Sequence, residues 1–411
     1  MVAPLTVGIA GLGTVGAETV RLIESQASSL AARCGRGIRV VAVTARSKAK
    51  KRGLDLRGVR WVKDPLTLAS DPEVECFVEL MGGDGDPALS AIEAALASGK
   101  SVVTANKALI AKHGLRLAKL AEQHGGALNF EAAVGAAIPV VKTLREGLAG
   151  TEIDRVYGIL NGTCNYILTR MEQEGLSFAE CLKDAQRLGY AEANPSFDVD
   201  GHDTAQKLAI LASLAFGTEV AQRAVYVEGI SSITPQDLRA AEELGYRIKL
   251  LGVAVRTKTG IEQRVHPTMV PRTSSVAQVM GVTNAVTIDG AGISPITLVG
   301  PGAGGAATAS AVVADIADVA RGIRAMPFGR PVARLKPTKK APMERHEGGY
   351  YIRLMARDLA GTAATIATRL AERGISIESI VQRHPDRSGD HKISGKASSP
   401  VPVILITYAT S

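Results

Sequence analysis

The sequence predicts an α/β protein: an N-terminal parallel sheet covered by helices on both faces, an α+β domain after it, and a small C-terminal α+β unit. Over residues 1–137, short apolar runs alternate with helical stretches, which is typical of βαβ units. After Pro139 the alternation stops, and several expected strands are separated only by turns. A segment rich in Pro, Lys and Arg, 331–341, then sets off the last part of the chain.

The first domain is predicted to span residues 1–137. Its strands are expected at 5–10, 39–45, 75–80, 101–105 and 127–133. Its helices are expected at 17–32, at 87–98 and in a stretch that ends near His124. A later helix, within 306–325, is expected to return and join this domain.

The second domain, residues 138–305, is predicted to hold a sheet of its own and to provide catalysis and dimerisation. Its strands are expected at 153–160, 248–256, 262–267 and 285–289, and its helices at 165–174, 178–188 and 203–216. A Gly-rich turn at 300–305 precedes the returning helix. Residues 326–347 are predicted to form a linker. Beyond it, 348–411 is expected to place strands at 350–355, 376–382 and 402–407 around a helix at 362–373.

Composition predicts a soluble globular protein of the cytoplasm. Hydrophobic residues make up 46% of the chain, and its four cysteines are widely spaced without a CxxC pair, as in a reduced cytosolic protein. No apolar run reaches the roughly 18 residues of a membrane span, and no basic region precedes the first apolar stretch as in a signal peptide. The net charge of +8 is spread along the chain without a nucleic-acid motif, so anionic small molecules are the expected partners rather than nucleic acid.

A glycine-rich turn follows the first predicted strand directly. It reads Gly11-Leu12-Gly13-Thr14-Val15-Gly16, the GxGxxG pattern of a Rossmann dinucleotide site, and a helix follows it. The first glycine permits a tight turn, the second lets the backbone approach a pyrophosphate, and the third lets the helix pack close to the strand. The position between strand and helix favours a nicotinamide cofactor over a ligand-free turn.

The end of the second predicted strand favours NADP, with NAD as the alternative. NAD sites place Asp or Glu there for the ribose 2′-hydroxyl, but this strand ends Val43-Thr44-Ala45-Arg46-Ser47. Arg46 and Ser47 can instead hold a 2′-phosphate, with lysines at 48, 50 and 51 adding positive charge. The alternative is that these are solvated loop charges.

Three segments carry polar side chains suited to carbonyl chemistry. Thr104 and Lys107 follow a strand of the parallel sheet, where ligands bind in such folds, although Lys107 would also suit a solvated helix start. Asp203 and Lys207 are four residues apart and share a helix face, and burial would let Lys207 exchange a proton near neutral pH. An ordinary surface ion pair is the alternative. Glu192, in a loop bounded by Gly and Pro, is a candidate for binding an ammonium group.

Six ordered motifs resemble homoserine dehydrogenase over essentially the whole chain. They are GLGTVG at 11–16, TANK at 104–107, EAAVGAAIPVV at 131–141, GILNGTCNYIL at 158–168, LGYAEANPSFDVDGHDTAQKLAIL at 188–211 and GPGAGGAATASAVVADI at 300–316. The resemblance implies reversible NAD(P)-dependent hydride transfer between L-homoserine and L-aspartate 4-semialdehyde, on the route to threonine, methionine and isoleucine. It also implies a homodimer or higher homo-oligomer.

The resemblance also assigns roles to residues that match the family's motifs. Lys207 matches the proton donor and acceptor, and Lys107 matches the lysine that contacts cofactor and substrate. The residues matching substrate-binding positions are Glu192, Asp203, Asp198, Thr163 and Tyr190. Gly189 and Gly302 match places where the backbone approaches the nicotinamide. The residues matching a monovalent cation site, usually sodium, are Glu131, Val134, Ala136 and Ile138; the residues alone favour a strand-to-helix turn of small residues without an ion.

The tail from Tyr350 to Ser411 resembles the start of an ACT domain, a small module that binds amino acids. The resemblance lies in 351–354, in 358–362, which begins with Asp358, and in 375–379. It implies threonine as a feedback inhibitor. The chain is expected to stop after the third strand of the module, which would leave it truncated, completed by a partner, inactive, or a dimerisation element.

Two other functions compete with this assignment. One is a dehydrogenase of another amino acid or semialdehyde on the same fold, and the combination of Glu192, Asp203 and Lys207 argues against it. The other is a catalytically inactive cofactor sensor, and the presence of both Lys107 and Lys207 argues against that.

Overall fold

The computed structural model of the chain describes residues 2–342, 346, 348–357, 359–382 and 400–410. Its N-terminal sheet has six strands, all parallel, in the order β3-β2-β1-β4-β5-β6. The strands are β1 (Leu5–Ala10), β2 (Ile38–Thr44), β3 (Arg60–Trp61), β4 (Cys76–Glu79), β5 (Ser101–Thr104) and β6 (Leu128–Asn129). The order reverses between β1 and β4, and a ligand crevice opens at such a point. The predicted Rossmann sheet is confirmed.

Helices cover both faces of this sheet. They are α1 (Thr14–Ser25), α2 (Ala27–Cys34), α3 (Pro65–Ser70), α4 (Ala88–Ala97) and α5 (Lys107–His124). The prediction of one helix over 17–32 was wrong, because the chain breaks at Gln26, which ends α1 and caps α2. The predicted strand 127–133 was too long. Beyond Asn129 the chain turns into a short 3₁₀ helix, Glu131–Ala133, whose first N–H bonds to the Asp315 carboxylate at 2.9 Å.

The second sheet also has six strands, in the order β12-β11-β7-β9-β10-β8. They are β7 (Ile153–Ile159), β8 (Tyr226–Val227), β9 (Tyr246–Arg256), β10 (Ile261–Pro271), β11 (Thr283–Gly290) and β12 (Ile296–Pro301). Neighbours are antiparallel except for β8 beside β10. Sequence reasoning missed β8 and β12, the two edge strands. β8 has only two residues, and β12 is largely accessible and lacks a buried face that would produce a clear alternation.

The helices of the second part are α6 (Val140–Lys142), α7 (Gly162–Glu174), α8 (Phe178–Arg187), α9 (Ser196–Val199), α10 (His202–Phe216), α11 (Pro235–Glu243) and α12 (Gly305–Ala320). Helix α10 is buried over its whole length from Asp203, because it packs on β7, β9 and β10 and also touches α5 of the first domain. Helix α12 returns to pack on α1, where Val312 and Ile316 share a core cluster with Ile9 and Val20.

The C-terminal unit consists of β13 (Tyr351–Ala356), α13 (Thr362–Ala371), β14 (Ile377–Gln382) and β15 (Val401–Thr407). Its antiparallel sheet has the order β13-β15-β14. Tyr351 and Arg353 bond to Asp237, whose carboxylate also caps the start of α11. Asp358 of the ACT-like motif lies outside the described residues. No described helix is both long enough and apolar enough to cross a bilayer.

β9 carries a buried lysine, Lys249. Lys249 is 1% exposed, and its Nζ donates to Asn165 Oδ1 at 2.8 Å and to the Val279 carbonyl at 2.6 Å. Burial, together with the positive charge of Arg247, lowers the pKa of Lys249 from 10.5 to about 8.

This shift predicts that stability rises with pH above 8. Between pH 8 and 10.5 the unfolded chain holds a proton on Lys249 that the folded chain has released, so the free energy of unfolding increases by up to about 3 kcal/mol. Below pH 8 both states hold the proton and the contribution is constant. Urea unfolding of wild type and Lys249→Met from pH 7 to 11 measures it. A difference between the two proteins that stays flat with pH would contradict the prediction.

Candidate active site

The glycine-rich turn has the geometry of a phosphate cradle. Gly11 adopts φ 101°, and a Cβ there would lie 2.4 Å from the Leu80 carbonyl oxygen. A Cβ on Gly16 would lie 2.0 Å from the Gly11 oxygen, so the start of α1 packs directly on the turn. A Cβ on Gly13 would meet nothing within 4 Å, and no side chain caps α1 there. The residues therefore fit a dinucleotide: the space and the N–H groups at Gly13 suit a pyrophosphate.

The loop after β2 is basic and is fixed by an arginine that sequence reasoning did not single out. Arg46 and Ser47 are exposed at its start. Arg52 donates to the Ser47 carbonyl at 2.7 Å and to the Leu12 carbonyl at 2.9 Å, so it ties this loop to the glycine-rich turn. Its guanidinium also lies 5.7 Å from the ring centre of Trp61. The signal in the sequence was the run of basic residues from 46 to 52.

The second glycine-rich turn joins β12 to α12 and meets the first. A Cβ on Gly305 would lie 2.7 Å from the Thr14 methyl group, at the first residue of α1. A Cβ on Gly302 would lie 1.9 Å from the Asn284 side chain, so glycine is required there by the buried amide of β11. The two turns thus close on each other across the first and second domains. Gly189 lies apart from them, in the loop after α8, with φ 76°.

The predicted lysines both reach one buried carboxylate. Asp203, in the first turn of α10, is 5% exposed. Lys207 Nζ lies 2.8 Å from Asp203 Oδ2 and also donates to the Leu160 carbonyl at 2.8 Å. Lys107 Nζ, from the start of α5, lies 3.3 Å from Asp203 Oδ1. The parallel sheet and the second domain therefore meet at this carboxylate.

Asn161 organises the neighbouring acids and was missed as a site residue. Its Nδ2 donates to Asp198 at 2.8 Å and to Asp203 at 3.0 Å, while its Oδ1 accepts from the Cys164 N–H at 2.8 Å and caps α7. The available signal was its position between a strand and a helix, where Asn is a preferred cap.

The surroundings of Asp198 and Asp203 shift the pKa values of the two carboxyl groups in opposite directions. Burial raises the pKa of Asp198, and the nearby Asp203 charge raises it further. Burial also opposes ionisation of Asp203, but the ammonium groups of Lys207 and Lys107 outweigh it and lower the pKa of Asp203. Asp203 is therefore the fixed negative charge of the cluster.

The loop that contains Glu192 is tied to α7 through Thr163. The Thr163 hydroxyl donates to the Tyr190 carbonyl at 2.6 Å, and the Tyr190 ring packs edge-on against Tyr166 with centres 5.0 Å apart. Glu192 is exposed, and its main-chain carbonyl accepts from Gln186 at 3.0 Å. No described residue forms a hydrogen bond or ion pair with the Glu192 carboxylate. The structure therefore does not connect Glu192 to the cluster of Lys107, Lys207 and Asp203.

The loop predicted to bind a cation is a tight turn. Ala136 adopts φ 47°, a strained value for a residue other than glycine, and the Ile138 N–H bonds to the Gly135 carbonyl at 2.9 Å. Within the described ranges, no donor is recorded for the Val134 or Ala136 carbonyl. The Ile138 carbonyl accepts from Val140.

Glu131 begins the short 3₁₀ helix that precedes this turn. Its carboxylate accepts from the N–H groups of Val141 and Lys142, both at 2.8 Å. Burial, with the charge of Asp315, raises the pKa of Glu131 to about 7. The buried Glu131 carboxylate and the Val134 and Ala136 carbonyls, which have no donor among the described residues, are oxygen atoms of the kind that a monovalent cation binds.

Two family models match most of the chain. The model described as homoserine dehydrogenase, NAD binding domain, matches residues 11–131, and the homoserine dehydrogenase model matches residues 139–317. The homoserine dehydrogenase of Pseudomonas aeruginosa is 44% identical over 98% of this chain and 92% of its own length. The chain belongs to the homoserine dehydrogenase family.

Solved structures of homoserine dehydrogenases agree with this assignment. The enzyme from Thiobacillus denitrificans superposes with a TM-score of 0.91 at 43% identity, covering 99% of this chain and 92% of that one. A hyperthermophilic archaeal homoserine dehydrogenase, solved in complex with NADPH, gives a TM-score of 0.65 at 26% identity over 79% of this chain and all of its own. The predicted family, the oxidoreductase class and the nicotinamide-binding domain are confirmed, and homoserine and aspartate semialdehyde are the substrates that the family implies.

Proposed function

We propose that the chain interconverts L-homoserine and L-aspartate 4-semialdehyde with NADP as the preferred cofactor and NAD as the weaker one. The observation that carries the proposal is the pair of lysines from two domains at Asp203. Such a cluster offers proton transfer and positive charge at one place, as carbonyl reduction requires. The archaeal relative solved with NADPH supports the choice of cofactor class.

The residues proposed to hold the cofactor would each contact one part of it. They are Gly11, Gly13, Thr14, Val15 and Gly16 at the pyrophosphate, Arg46 and Ser47 at the 2′-phosphate, and Thr104, Lys107, Gly189 and Gly302 towards the nicotinamide. When bound, the nicotinamide accepts hydride from the alcohol or gives it to the aldehyde. The helix start at Gly13 supports this arrangement, because its N–H groups have no side-chain cap.

Lys207 is the proposed proton donor and acceptor. Two of its three N–H groups are held by Asp203 and Leu160, which leaves the third for the substrate oxygen. Lys107, with a side chain that is 34% exposed, is proposed to hold the same oxygen as charge develops on it. The negative charge of Asp203 keeps both ammonium groups in place.

The substrate is a zwitterion, and the proposed ammonium ligands are carboxylates. Asp203 is engaged by the two lysines, so Glu192 and Asp198 are proposed to take the larger share of the ammonium group. Thr163 and Tyr190 are proposed to support this loop against the substrate, which the bond from the Thr163 hydroxyl to the Tyr190 carbonyl favours.

The test is the absorbance of NADPH formed by purified protein from NADP⁺ and L-homoserine, with NAD⁺ in parallel. Other amino alcohols and hydroxy acids form the comparison panel. Reduction that depends on homoserine and is faster with NADP⁺ supports the proposal. Faster turnover of another panel member would replace the substrate, and inactivity with every member would favour a cofactor sensor.

Arg46→Ala is expected to weaken use of NADP⁺ selectively. Loss of a charge-assisted hydrogen bond to the 2′-phosphate should raise KM for NADP⁺ by ~10-fold or more and leave KM for NAD⁺ within ~2-fold. Arg39→Ala is the matched control, because Arg39 is exposed at the opposite end of β2, the strand that leads to the Arg46 loop. Equal changes for both cofactors would remove Arg46 from the phosphate site.

A monovalent cation, preferably sodium, is proposed at the turn around Ala136, which follows the 3₁₀ helix that begins at Glu131. Its ligands would be Glu131 and the main-chain carbonyls of Val134, Ala136 and Ile138. A cation there would offset the repulsion between Glu131 and Asp315. The measurement is Tm in NaCl against choline chloride at equal ionic strength, since a ligand of the folded state raises Tm.

Homodimer formation and inhibition by threonine are proposed for the rest of the molecule. β12 is an edge strand of the second sheet, and Val299 on it is 57% exposed, so this edge is the proposed contact with another copy of the chain. The C-terminal unit is joined to the second domain through Asp237, which would pass an effect of threonine to the catalytic half. Light scattering and homoserine assays with added threonine test the two proposals.

A further inference from the structure

Glu79 is a buried carboxylate at the carboxyl end of β4, in the floor of the cofactor crevice. It is 0% exposed, and among the described residues no Lys, Arg or His forms an ion pair with it. Three donors hold it instead. Oε2 accepts from the Thr104 hydroxyl at 2.6 Å, and Oε1 accepts from the N–H groups of Met81 at 2.7 Å and Gly82 at 3.1 Å. It therefore joins the loop after β4 to the end of β5.

A chain of hydrogen bonds continues from Glu79 to the first residue of α5. The Thr104 hydroxyl accepts from the Asn106 N–H at 3.0 Å. Asn106 Oδ1 caps α5 through the Leu109 N–H at 3.1 Å, and its Nδ2 returns to the Gly83 carbonyl at 2.7 Å. Lys107 follows this cap directly and is the first residue of α5. The position of its backbone is thus set by the same network that fixes the β4 loop.

A neutral amide cannot replace the Glu79 carboxylate without leaving a donor unpaired. Oε1 faces two backbone N–H groups, so a glutamine must direct its oxygen there. Its NH₂ group then points at the Thr104 hydroxyl, which already accepts from Asn106 and would lose the acceptor for its own proton. In the opposite orientation, the glutamine NH₂ group would face the N–H groups of Met81 and Gly82, which are also donors. The network therefore needs an acceptor at both oxygens, which an ionised carboxylate provides.

We propose that Glu79 is a positioning residue for hydride transfer, which acts by setting Lys107 relative to the cofactor crevice. The loop that Glu79 holds also borders the glycine-rich turn, because a Cβ on Gly11 would lie 2.4 Å from the Leu80 oxygen. One buried carboxylate therefore fixes both the wall beside the pyrophosphate turn and the start of the helix that carries Lys107. The inference rests on the proposed function, in which Lys107 holds the reacting oxygen.

The experiment compares Glu79→Gln with Glu75→Gln in the wild-type and Lys107→Met backgrounds. Glu75 immediately precedes β4 and bonds to Arg36 at the other end of the strand, so it is the matched control. In the wild-type background, Glu79→Gln is expected to lower kcat by ~10- to 100-fold, the range for a displaced catalytic group, while Glu75→Gln leaves kcat unchanged. In the Lys107→Met background, Glu79→Gln is expected to change kcat by less than ~3-fold, because its effect passes through Lys107.

Equal kcat for the two glutamine variants, or the same loss with and without Lys107, would overturn the inference. Hydrogen exchange of 80–83 and 104–109, expected to be faster in Glu79→Gln than in Glu75→Gln, tests the network without turnover, and unchanged exchange would also overturn it. Wild-type protein that does not oxidise homoserine would count against the proposed function, while the exchange result still judges the network. If Glu79→Gln does not fold, Asn106→Ala breaks the same chain at its other end and is expected to repeat both results.

Discussion

Replacement of Lys207 by alanine is expected to lower kcat by at least ~100-fold while folding and NADPH affinity stay intact. Lys207 is 9% exposed, and its Nζ is held by the Asp203 carboxylate and the Leu160 carbonyl, so its remaining N–H has a fixed direction that alanine cannot supply. The cofactor residues lie on other elements, which is why NADPH binding should not change. Stopped-flow turnover and NADPH fluorescence titration measure the two quantities.

Lys249→Met is the matched control for this variant. Lys249 is also a buried lysine that donates to a main-chain carbonyl and a side-chain oxygen, but it lies on β9, outside the Asp203 cluster. Its loss is expected to change the free energy of unfolding and not kcat. Near-normal turnover of Lys207→Ala, or an equal loss in both variants, would remove Lys207 from the proton-transfer role.

Asp203→Asn is expected to reduce kcat/KM by ~1000-fold, since it removes the one negative charge that both lysines share. The amide would also present NH₂ to an ammonium group or to Asn161, whose own NH₂ already points at this position. The buried Lys207 and the partly exposed Lys107 would then both lack this anion. The free energy of unfolding should fall by about 3 kcal/mol, the usual result of breaking a buried ion pair from one side.

Asp237→Asn separates loss of stability from loss of chemistry. Asp237 is 1% exposed and is paired with Arg353, far along the chain from the lysine cluster. The free energy of unfolding of Asp237→Asn should fall by about as much as that of Asp203→Asn, while kcat and KM stay unchanged. If Asp203→Asn lost only stability and kept kcat/KM, the carboxylate would be structural rather than part of the active site.

The cofactor turn and the lysine–aspartate pair could be predicted because their geometry is local. The spacing of Gly11, Gly13 and Gly16 fixes one turn, and the interval of four between Asp203 and Lys207 fixes one helix face. Asn161 and Glu79 could not be found in this way. Asn161 meets Asp198 and Asp203 across 37 and 42 residues, and Glu79 meets Thr104 across 25, so their partners depend on how the sheets assemble.

Errors in the predicted elements arose where tertiary contacts set the ends. The strand expected over 127–133 ends at Asn129, because the Glu131 N–H bonds to the Asp315 carboxylate of α12, nearly two hundred residues further along the chain. Edge strand β12 was missed because a strand with one open side need not show strict alternation.

The contact between Lys107 and Asp203 places the proposed active site at the interface between two domains. One ammonium group belongs to α5 of the N-terminal domain, and its counter-charge belongs to α10 of the second domain. Fragments of this chain divided near residue 137 would each fold around an incomplete set of reacting groups. Catalytic activity would therefore depend on the relative placement of the two domains. A rotation between them would change the distance between the Lys107 ammonium group and the Asp203 carboxylate.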